Sequence, residues 1–182
     1  MFALPPILYS IPRNPITAVG LPVFFGMLSG SPTSKEVQGT WYKSLKFPPG
    51  RVPDQVFPVM WAILYTGMGY ASYVALKSYD SATISETAAS NISKGLAIYY
   101  GQLALNCGWS SLFFVKKRVG LALLDSIAIT ASSACMTVLF HKATDGATTY
   151  FLAPYCAWLC YATYINASVW YLNRGRKVTG ED

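Results

Sequence analysis

The charged residues of this chain are spaced so that long apolar stretches separate them. Four stretches hold no charged residue and a fifth holds only Asp125; they cover residues 14–34, 55–76, 95–115, 119–140 and 148–173. A helix needs about 20 apolar residues to cross the hydrocarbon core of a bilayer. Because every stretch reaches that length, we expect an all-α integral membrane protein, built as a bundle of five transmembrane helices.

The composition agrees with a membrane protein. Hydrophobic residues make up 53% of the chain and charged residues 12%, whereas an ordinary soluble domain carries roughly 25% charge. Five spans leave little chain for a separate soluble domain, so residues 1–182 are expected to form a single membrane domain. The longest connection, residues 35–54, is rich in aromatic residues and proline, and we expect it to be folded.

Basic residues are concentrated on one side of the predicted bundle. With five spans, the first loop, the third loop and the C-terminal tail share a side. They hold ten of the fourteen Lys and Arg residues: Lys35, Lys43, Lys46, Arg51, Lys116, Lys117, Arg118, Arg174, Arg176 and Lys177. Basic loops face the cytosol, which places the C-terminus there. The net charge of +6 then reflects topology, and we expect no nucleic-acid partner.

Few residues are available for metal binding or disulfides. The four cysteines all fall inside predicted spans, and the chain has one histidine, so we expect packing cysteines and no metal site. The tripeptide Asn91-Ile92-Ser93 matches a glycosylation acceptor in the second loop. It would be used only if the protein enters the secretory pathway.

Polar and aromatic side chains recur at helical spacing inside the predicted spans. They are Gln102, Asn106, Trp109 and Ser110 in the third span, and Tyr155, Trp158, Ala162 and Asn166 in the fifth. Polar groups in a membrane usually face the bundle interior or a cavity. Each set therefore predicts one inward face, which either lines a ligand cavity or cross-links neighbouring helices.

Several of these side chains lie at nearly the same depth. Trp61, Trp109 and Asp125 each lie about six residues from the cytosolic end of a span, roughly 9 Å inside, and Asn166 lies close to that level. This predicts an aromatic cavity that opens toward the cytosolic leaflet, with the first loop as its lid. The alternatives are that the tryptophans only pack, and that Asp125 snorkels or pairs with a base in residues 116–118.

The end of the fifth span carries a weak lipid-contact pattern. Val169, Tyr171 and Arg174 match the order of residues proposed for sterol contact. Any helix that ends in an aromatic belt and a basic flank tends to match it, and Trp170 is typical of an interfacial anchor.

Four blocks of sequence resemble one known family. They are Trp41-Tyr42-x-x-Leu45-Lys46, Pro58-Val59-Met60-Trp61-x-x-Leu64-Tyr65-x-x-Met68-Gly69, Gly101-Gln102-Leu103-Ala104-Leu105-Asn106-x-x-Trp109-x-x-x-Phe113-Phe114, and Pro154-Tyr155-x-x-Trp158-x-x-x-Ala162-x-x-x-Asn166. Their order and spacing are similar to those of the translocator protein (TspO/MBR) family, also called tryptophan-rich sensory proteins or peripheral-type benzodiazepine receptors. The likeness runs over roughly residues 15–174 and indicates a eukaryotic member.

The resemblance implies a five-helix bundle, commonly a homodimer, with a pocket in the cytosolic half beneath the first loop. Family ligands are porphyrins and haem, synthetic isoquinoline carboxamides and benzodiazepines, and cholesterol in animals; none is an obligatory cofactor. The expected pocket residues are Trp41, Tyr42, Pro53, Trp61, Tyr65, Asn106, Trp109, Asp125, Trp158, Ala162 and Asn166, with sterol contact at Val169, Tyr171 and Arg174. In the loop, Gly50 and Val52 stand where the family usually has tryptophan and proline.

Three functions follow as hypotheses. The first is a membrane translocator or receptor that binds tetrapyrroles and sterols for transport or sensing. The second is a porphyrin-degrading enzyme that relies on light, because Trp61 and Trp158 match two tryptophans tied to such breakdown in bacterial relatives. The third is a structural scaffold. The expected location is the mitochondrial outer membrane with a cytosolic C-terminus, and the alternative is the endoplasmic reticulum.

Overall fold

The regular structure of the chain is helical. The computed structural model describes residues 4–31 and 33–175, and within them every regular element is a helix, which confirms the all-α class. The elements are α1 (Pro6–Arg13), α2 (Pro15–Gly30), α3 (Thr33–Glu36), α4 (Thr40–Ser44), α5 (Val56–Tyr79), α6 (Glu86–Ser110), a π-helical turn (Ser111–Val115), α7 (Val119–Ala143) and α8 (Thr149–Asn173).

Three helical stretches of the described residues are long and apolar enough to cross a membrane. They are Pro15–Glu36, Val56–Tyr79 and Val119–Ala143. Helices α6 and α8 each have 25 residues, but the polar stripe of α6 and the many tyrosines of α8 make them less apolar. The charge spacing shows five possible crossings, whereas hydropathy alone supports three.

The five long helices pack in a closed ring. Around the ring the order is α2, α5, α8, α7 and α6, with α6 packing back onto α2. Met68, Leu96, Met136 and Tyr155 come from four of these helices and are fully buried at the centre. Gly69 lets α2 approach α5 closely, because a Cβ atom there would lie 2.4 Å from the carbonyl oxygen of Ala18.

Helix α6 begins earlier than the charge spacing predicts. The predicted third span begins at residue 95, whereas α6 begins at Glu86. The Ser85 side chain accepts a hydrogen bond from the Ala88 N–H at 3.1 Å, and Glu86 lies where the helix dipole favours negative charge. A charge-free stretch measures the part of a helix in hydrocarbon, so it misses turns that extend into water.

The predicted glycosylation loop is therefore wrong. Asn91 lies inside α6, and Ser93 is buried with its hydroxyl accepting a hydrogen bond from the Tyr9 hydroxyl at 3.0 Å. A sequon that is folded into a packed helix does not present the exposed loop that glycosylation needs.

The proline-rich N-terminal segment forms a helix that the sequence did not predict. Helix α1 packs on α2 and α5 at the end of the bundle opposite the long loop. The ring of Tyr9 stacks on that of Tyr79 at 5.3 Å, and the Arg13 guanidinium donates two hydrogen bonds to Asp80 at 2.8 and 2.9 Å. This ion pair holds the pKa of the Asp80 carboxyl below its usual value.

The long loop folds against the other end of the bundle, which we call the loop end. Two short helices, α3 and α4, lie in or beside it. Trp41, Tyr42 and Leu45 are buried there in a cluster with Phe113 and Phe114 of the π-helical turn. The loop therefore has a hydrophobic core of its own, shared with the ends of α7 and α8. Arg176 and Lys177, counted in the predicted topology, lie outside the described residues.

Candidate functional site

A compact polar cluster holds the middle of the loop together. The Tyr42 hydroxyl accepts a hydrogen bond from Arg51 at 2.8 Å and donates one to Asp54 at 3.0 Å, and Arg51 also pairs with Asp54. The Arg51 guanidinium lies 3.9 Å from the centre of the Phe47 ring. Burial raises the pKa of Tyr42 to about 12, so its hydroxyl remains a neutral donor at pH 7.

The Tyr161 hydroxyl of α8 fastens this loop from below. It accepts a hydrogen bond from the Val52 N–H at 2.8 Å and donates one to the Gly50 carbonyl at 3.2 Å. Gly50 has φ of 80°, a left-handed conformation that glycine adopts readily. Proline has no N–H to donate. Gly50 and Val52, the two residues that differ from the family's usual loop, therefore both hydrogen-bond to the Tyr161 hydroxyl. Glycine allows the left-handed turn, and valine keeps the N–H that proline lacks.

Two more contacts attach the loop to α8. The Lys46 N–H donates to the Asn173 amide oxygen at 2.9 Å, and the Asn173 amide donates back to the Lys46 carbonyl at 2.9 Å. The Tyr164 hydroxyl donates to the Pro49 carbonyl at 3.4 Å. Because these contacts are spread over three turns of α8, the loop lies along the helix as a fixed cover.

A chain of buried hydrogen bonds lies deeper and links α5, α6 and α8. The Tyr65 hydroxyl donates to the Asn106 amide oxygen at 2.9 Å, and the Asn106 amide donates to the Tyr155 hydroxyl at 3.1 Å. Tyr155 in turn donates to Gln102 at 2.6 Å. Each link satisfies a polar atom that would otherwise be stranded away from water. Asn106 is therefore a cross-link between helices in this closed structure.

Between this chain and the loop lies a layer of half-buried tryptophans on α5, α6 and α8. Trp61 stacks on Tyr65 with ring centres 5.5 Å apart, and Trp109 stacks on Phe113 at 4.9 Å. Trp158 packs edge-on against Phe57 at 5.5 Å. We call Trp61, Trp109 and Trp158 the tryptophan layer.

The tryptophan layer is connected both to α8 and to the loop. The Trp109 indole N–H donates to the Asn166 amide oxygen at 3.0 Å, and the Asn166 amide donates to the Val119 carbonyl at 3.1 Å. The Trp158 ring lies 5.2 Å from the ring of Tyr161, whose hydroxyl holds the loop. The underside of the loop and the tryptophan layer are thus in contact through Tyr161.

Three buried polar atoms lack a hydrogen-bond partner among the described residues. They are Nε1 of Trp41, Nε1 of Trp158 and Oδ2 of Asp125. An unsatisfied buried donor or acceptor costs about 1–3 kcal/mol. All three lie toward the loop end, where the sequence predicts ligand contact. The alternative pairing of Asp125 with residues 116–118 is not seen in the described part of the chain.

The structure brings together some of the expected site residues and separates others. Tyr65 meets Asn106, and Trp109 meets Asn166. Pro53 is exposed on the outer side of the loop, and Ala162 is half-buried one turn beyond Trp158.

The expected sterol set does not share one surface. Val169 is fully buried, whereas Tyr171 is 59% exposed. The Arg174 guanidinium lies 4.2 Å from the centre of the Tyr171 ring. Val169 points into the bundle, where it lines a small cavity together with Arg174, and sterol contact at these residues stays a prediction.

Several residues that organise the site were not among the predicted ones. Gln102 and Tyr155 complete the buried chain, and Tyr161 fastens the loop. The first two already stood on the predicted inward faces, so their spacing was an available signal. For Tyr161 the only signal was its position three residues after Trp158, on the same face of α8.

The sequence profile of the TspO/MBR family matches residues 18–172. The chain belongs to the TspO/MBR family. The matched region contains all the expected pocket residues and leaves out Arg174. As a family member the chain is an integral membrane protein of the translocator and sensor class.

Relatives from animals, yeast and bacteria are similar to this family member. Human translocator protein is 35% identical over 135 residues, covering 74% of this chain and 76% of that protein. The translocator protein homolog of Schizosaccharomyces pombe is 32% identical over 164 residues, covering 90% and 94%. Protein CrtK of Rhodobacter capsulatus is 34% identical over 141 residues, covering 76% and 82%.

Proposed function

We propose that this TspO/MBR protein binds a tetrapyrrole, either a porphyrin or haem, at the tryptophan layer beneath the loop, and takes part in its transport or sensing. The observation that carries the proposal is the buried indole N–H of Trp158, which has no hydrogen-bond partner within residues 4–31 and 33–175. It lies in an aromatic layer directly under a loop that Tyr161 fastens.

The chemistry of the layer suits a flat aromatic ligand. Indole rings stack on extended π-systems and bury a large apolar area. The Trp158 N–H offers a donor to a polar atom of the ligand, and the Asn106 amide can exchange its protein partners for ligand atoms. The layer is filled in this structure, since Trp61 packs on Tyr65 and Trp109 on Phe113. Binding a tetrapyrrole therefore requires the loop to move away from α8.

The proposed membrane topology is supported by the distribution of basic residues among the loops. We propose that all five long helices cross the membrane, with the loop end and the C-terminus in the cytosol, because basic loops are retained there. We place the protein in the mitochondrial outer membrane as a homodimer, with the endoplasmic reticulum as the alternative location. Sterol contact is proposed at Tyr171 and Arg174, whose side chains meet on the outer surface of α8.

The test is a titration of purified protein with protoporphyrin in darkness, followed by the change in Soret absorbance. The double variant Trp61→Phe with Trp158→Phe loses stacking area and an indole donor at each of two sites, including the N–H of Trp158. We expect its dissociation constant to rise about tenfold, at about 0.5–1.5 kcal/mol per aromatic contact. The matched control is Trp170→Phe, on the exposed side of α8, which leaves binding unchanged.

The same titration separates the other two functions. If light destroys the porphyrin spectrum with wild type but not with the double variant, the protein is a porphyrin-degrading enzyme. If wild type shows no saturable binding, neither binding nor degradation stands, and the scaffold function is left.

A further inference from the structure

A small cavity lies at the loop end, outside the tryptophan layer. It has a volume of about 180 Å³, and the residues that line it include Trp41, Lys117, Gly120, Trp170 and Arg174. It therefore lies between the loop, the start of α7 and the last turn of α8. A pocket for a drug-sized ligand measures about 300–1,000 Å³, so this cavity suits a small polar group and not a tetrapyrrole ring.

The described residues that line this cavity carry charge of one sign. Lys117 and Arg174 line it, and none of the described residues that line it is acidic. Aromatic rings flank both cations, and the ring nearest to Arg174 is that of Tyr171, at 4.2 Å. The Lys117 ammonium lies 5.8 Å from the centre of the Trp41 ring, and the Arg174 guanidinium lies 5.8 Å from that of Trp170.

The backbone conformation of Lys117 is unusual. Lys117 has φ of 52°, a left-handed conformation in which glycine or asparagine is the usual residue after a helix. Its Cβ atom makes this conformation unfavourable. Non-glycine residues in this conformation cluster at ligand-binding and switch sites, and Asp145, at the turn after α7, shares it.

The start of α7 adds positive potential to the same cavity. Val119 and Gly120 are the first residues of this 25-residue helix, and both line the cavity. The first N–H groups of a helix have no partner within it, and the helix dipole places partial positive charge there. Arg118, which precedes the helix, provides no side-chain cap for these groups. Such a helix start favours a phosphate group.

Trp41 forms a buried wall of the cavity. Its side chain is only 4% exposed, and it is one of the lining residues. Two cations, a helix start and an indole thus surround one small space at the end of the membrane-spanning helices.

From this arrangement we propose that the cavity binds the phosphate of an anionic phospholipid, with Lys117 and Arg174 as its charged partners. The shared chemistry is that of a phosphate group, and we assign it to a lipid because the cavity lies at the ends of α7 and α8, beside the bilayer interface. This site is separate from the tryptophan layer, since none of Trp61, Trp109 and Trp158 lines it, and it shares Arg174 with the proposed sterol contact.

The test is native mass spectrometry of the full chain in detergent, titrated with phosphatidylserine or with phosphatidylcholine. We expect wild type to retain phosphatidylserine preferentially. Each basic residue near an anionic lipid is worth about 1 kcal/mol, which is about fivefold in affinity. The double variant Lys117→Gln with Arg174→Gln is therefore expected to bind phosphatidylserine about 25-fold more weakly.

Two matched variants make the result specific. Lys43→Gln with Lys46→Gln removes the same charge from exposed side chains of the loop and is expected to leave binding nearly unchanged. Lys117→Arg with Arg174→Lys keeps the charge and is expected to restore binding, which excludes a folding defect as the cause.

Three results overturn the proposal. They are retention of phosphatidylserine by the Lys117 and Arg174 glutamine variant, an equal loss in the Lys43 and Lys46 variant, and displacement of the lipid by inorganic phosphate in millimolar excess. The last result assigns the cavity to a free anion in place of a lipid.

Discussion

Removing one hydroxyl group is expected to loosen the cover of the tryptophan layer. In Tyr161→Phe the ring and its contact with Trp158 remain, while two hydrogen bonds to the loop are lost. These are the bonds from the Val52 N–H at 2.8 Å and to the Gly50 carbonyl at 3.2 Å. The change therefore acts on the attachment of the loop and leaves the aromatic packing in place.

The size of the effect follows from these two bonds. A typical intramolecular hydrogen bond contributes about 0.5–1.5 kcal/mol net. Tyr161 is half-buried, so water replaces part of what is lost, and we expect a total of about 1–2 kcal/mol. The equilibrium for loop opening then rises about 5- to 30-fold.

Amide hydrogen exchange of the detergent-solubilised protein measures this opening directly, because exchange of loop amides requires local opening. We expect the Lys46 amide, which donates to Asn173 of α8, to exchange about 5- to 30-fold faster in Tyr161→Phe than in wild type. Tyr164→Phe is the control, since its bond to Pro49 is longer at 3.4 Å. Equal exchange rates in wild type and Tyr161→Phe would refute the proposed fastening.

A double-mutant cycle isolates the stronger bond. Val52→Pro places the residue usual in the family at this position, and it removes the N–H that Tyr161 accepts. We expect Val52→Pro to lower the free energy of loop opening by itself. In the double variant with Tyr161→Phe, we expect this free energy to fall by about 1 kcal/mol less than the sum of the two single effects. Full additivity contradicts the contact between the two groups.

Three further changes test packing and charge. Asn166→Ala strands the buried indole N–H of Trp109, so we expect the free energy of unfolding to fall by about 1–3 kcal/mol; an unchanged thermal transition in detergent contradicts this. Gly69→Ala places a Cβ atom 2.4 Å from a backbone oxygen of α2 and is expected to lower the free energy of unfolding by about 1–3 kcal/mol. Gly101→Ala is the control, because its Cβ atom meets open space, and it is expected to change that free energy by less than about 1 kcal/mol. The pKa of Asp80 is lowered in the folded protein, so the ionised carboxylate stabilises the attachment of α1. This stabilisation is complete above the ordinary carboxyl pKa and is lost as the pH falls through the lowered pKa. The protection factors of α1 amides, that is, exchange relative to the intrinsic rate at each pH, are therefore expected to fall below about pH 4, and Asp80→Asn to show the low protection already at pH 7.

The helical class of this protein was predictable because hydrocarbon excludes charge. A segment that crosses it must satisfy its own backbone and carry about 20 apolar residues, and gaps between charged residues record that requirement. The same rule does not fix where helices end. Helix α6 extends back to Glu86, and α1 forms in a segment with several prolines, because both lie where water and neighbouring helices replace lipid as the surroundings.

The hydrogen bond between Trp109 and Asn166 shows what the predicted depth of a residue in its span can establish. Counting residues from the ends of spans placed the two side chains at one level, and the structure joins them by a hydrogen bond. Depth gives height along the bundle but not the order of helices around it. The sequence therefore predicted that Gln102 and Asn106 face inward, without showing that both meet Tyr155 on α8.

The fastening of the loop was beyond sequence reasoning. Val52 and Tyr161 are 109 positions apart, and neither belongs to a motif whose chemistry names a partner. The altered loop residues suggested only that the lid differs from that of the family. The structure explains them together, since Gly50 provides the left-handed turn and Val52 the N–H that the Tyr161 hydroxyl accepts.

A tetrapyrrole at the tryptophan layer contacts indole rings, so the indole N–H signals of the protein report directly on the proposed binding. The chain has five tryptophans, so ¹⁵N-indole labelling gives one signal from each. On adding protoporphyrin in darkness, we expect the signals of Trp61, Trp109 and Trp158 to shift in a saturable way while that of Trp170 stays in place. A shift confined to Trp170, or no saturable shift at any tryptophan, would contradict the claim.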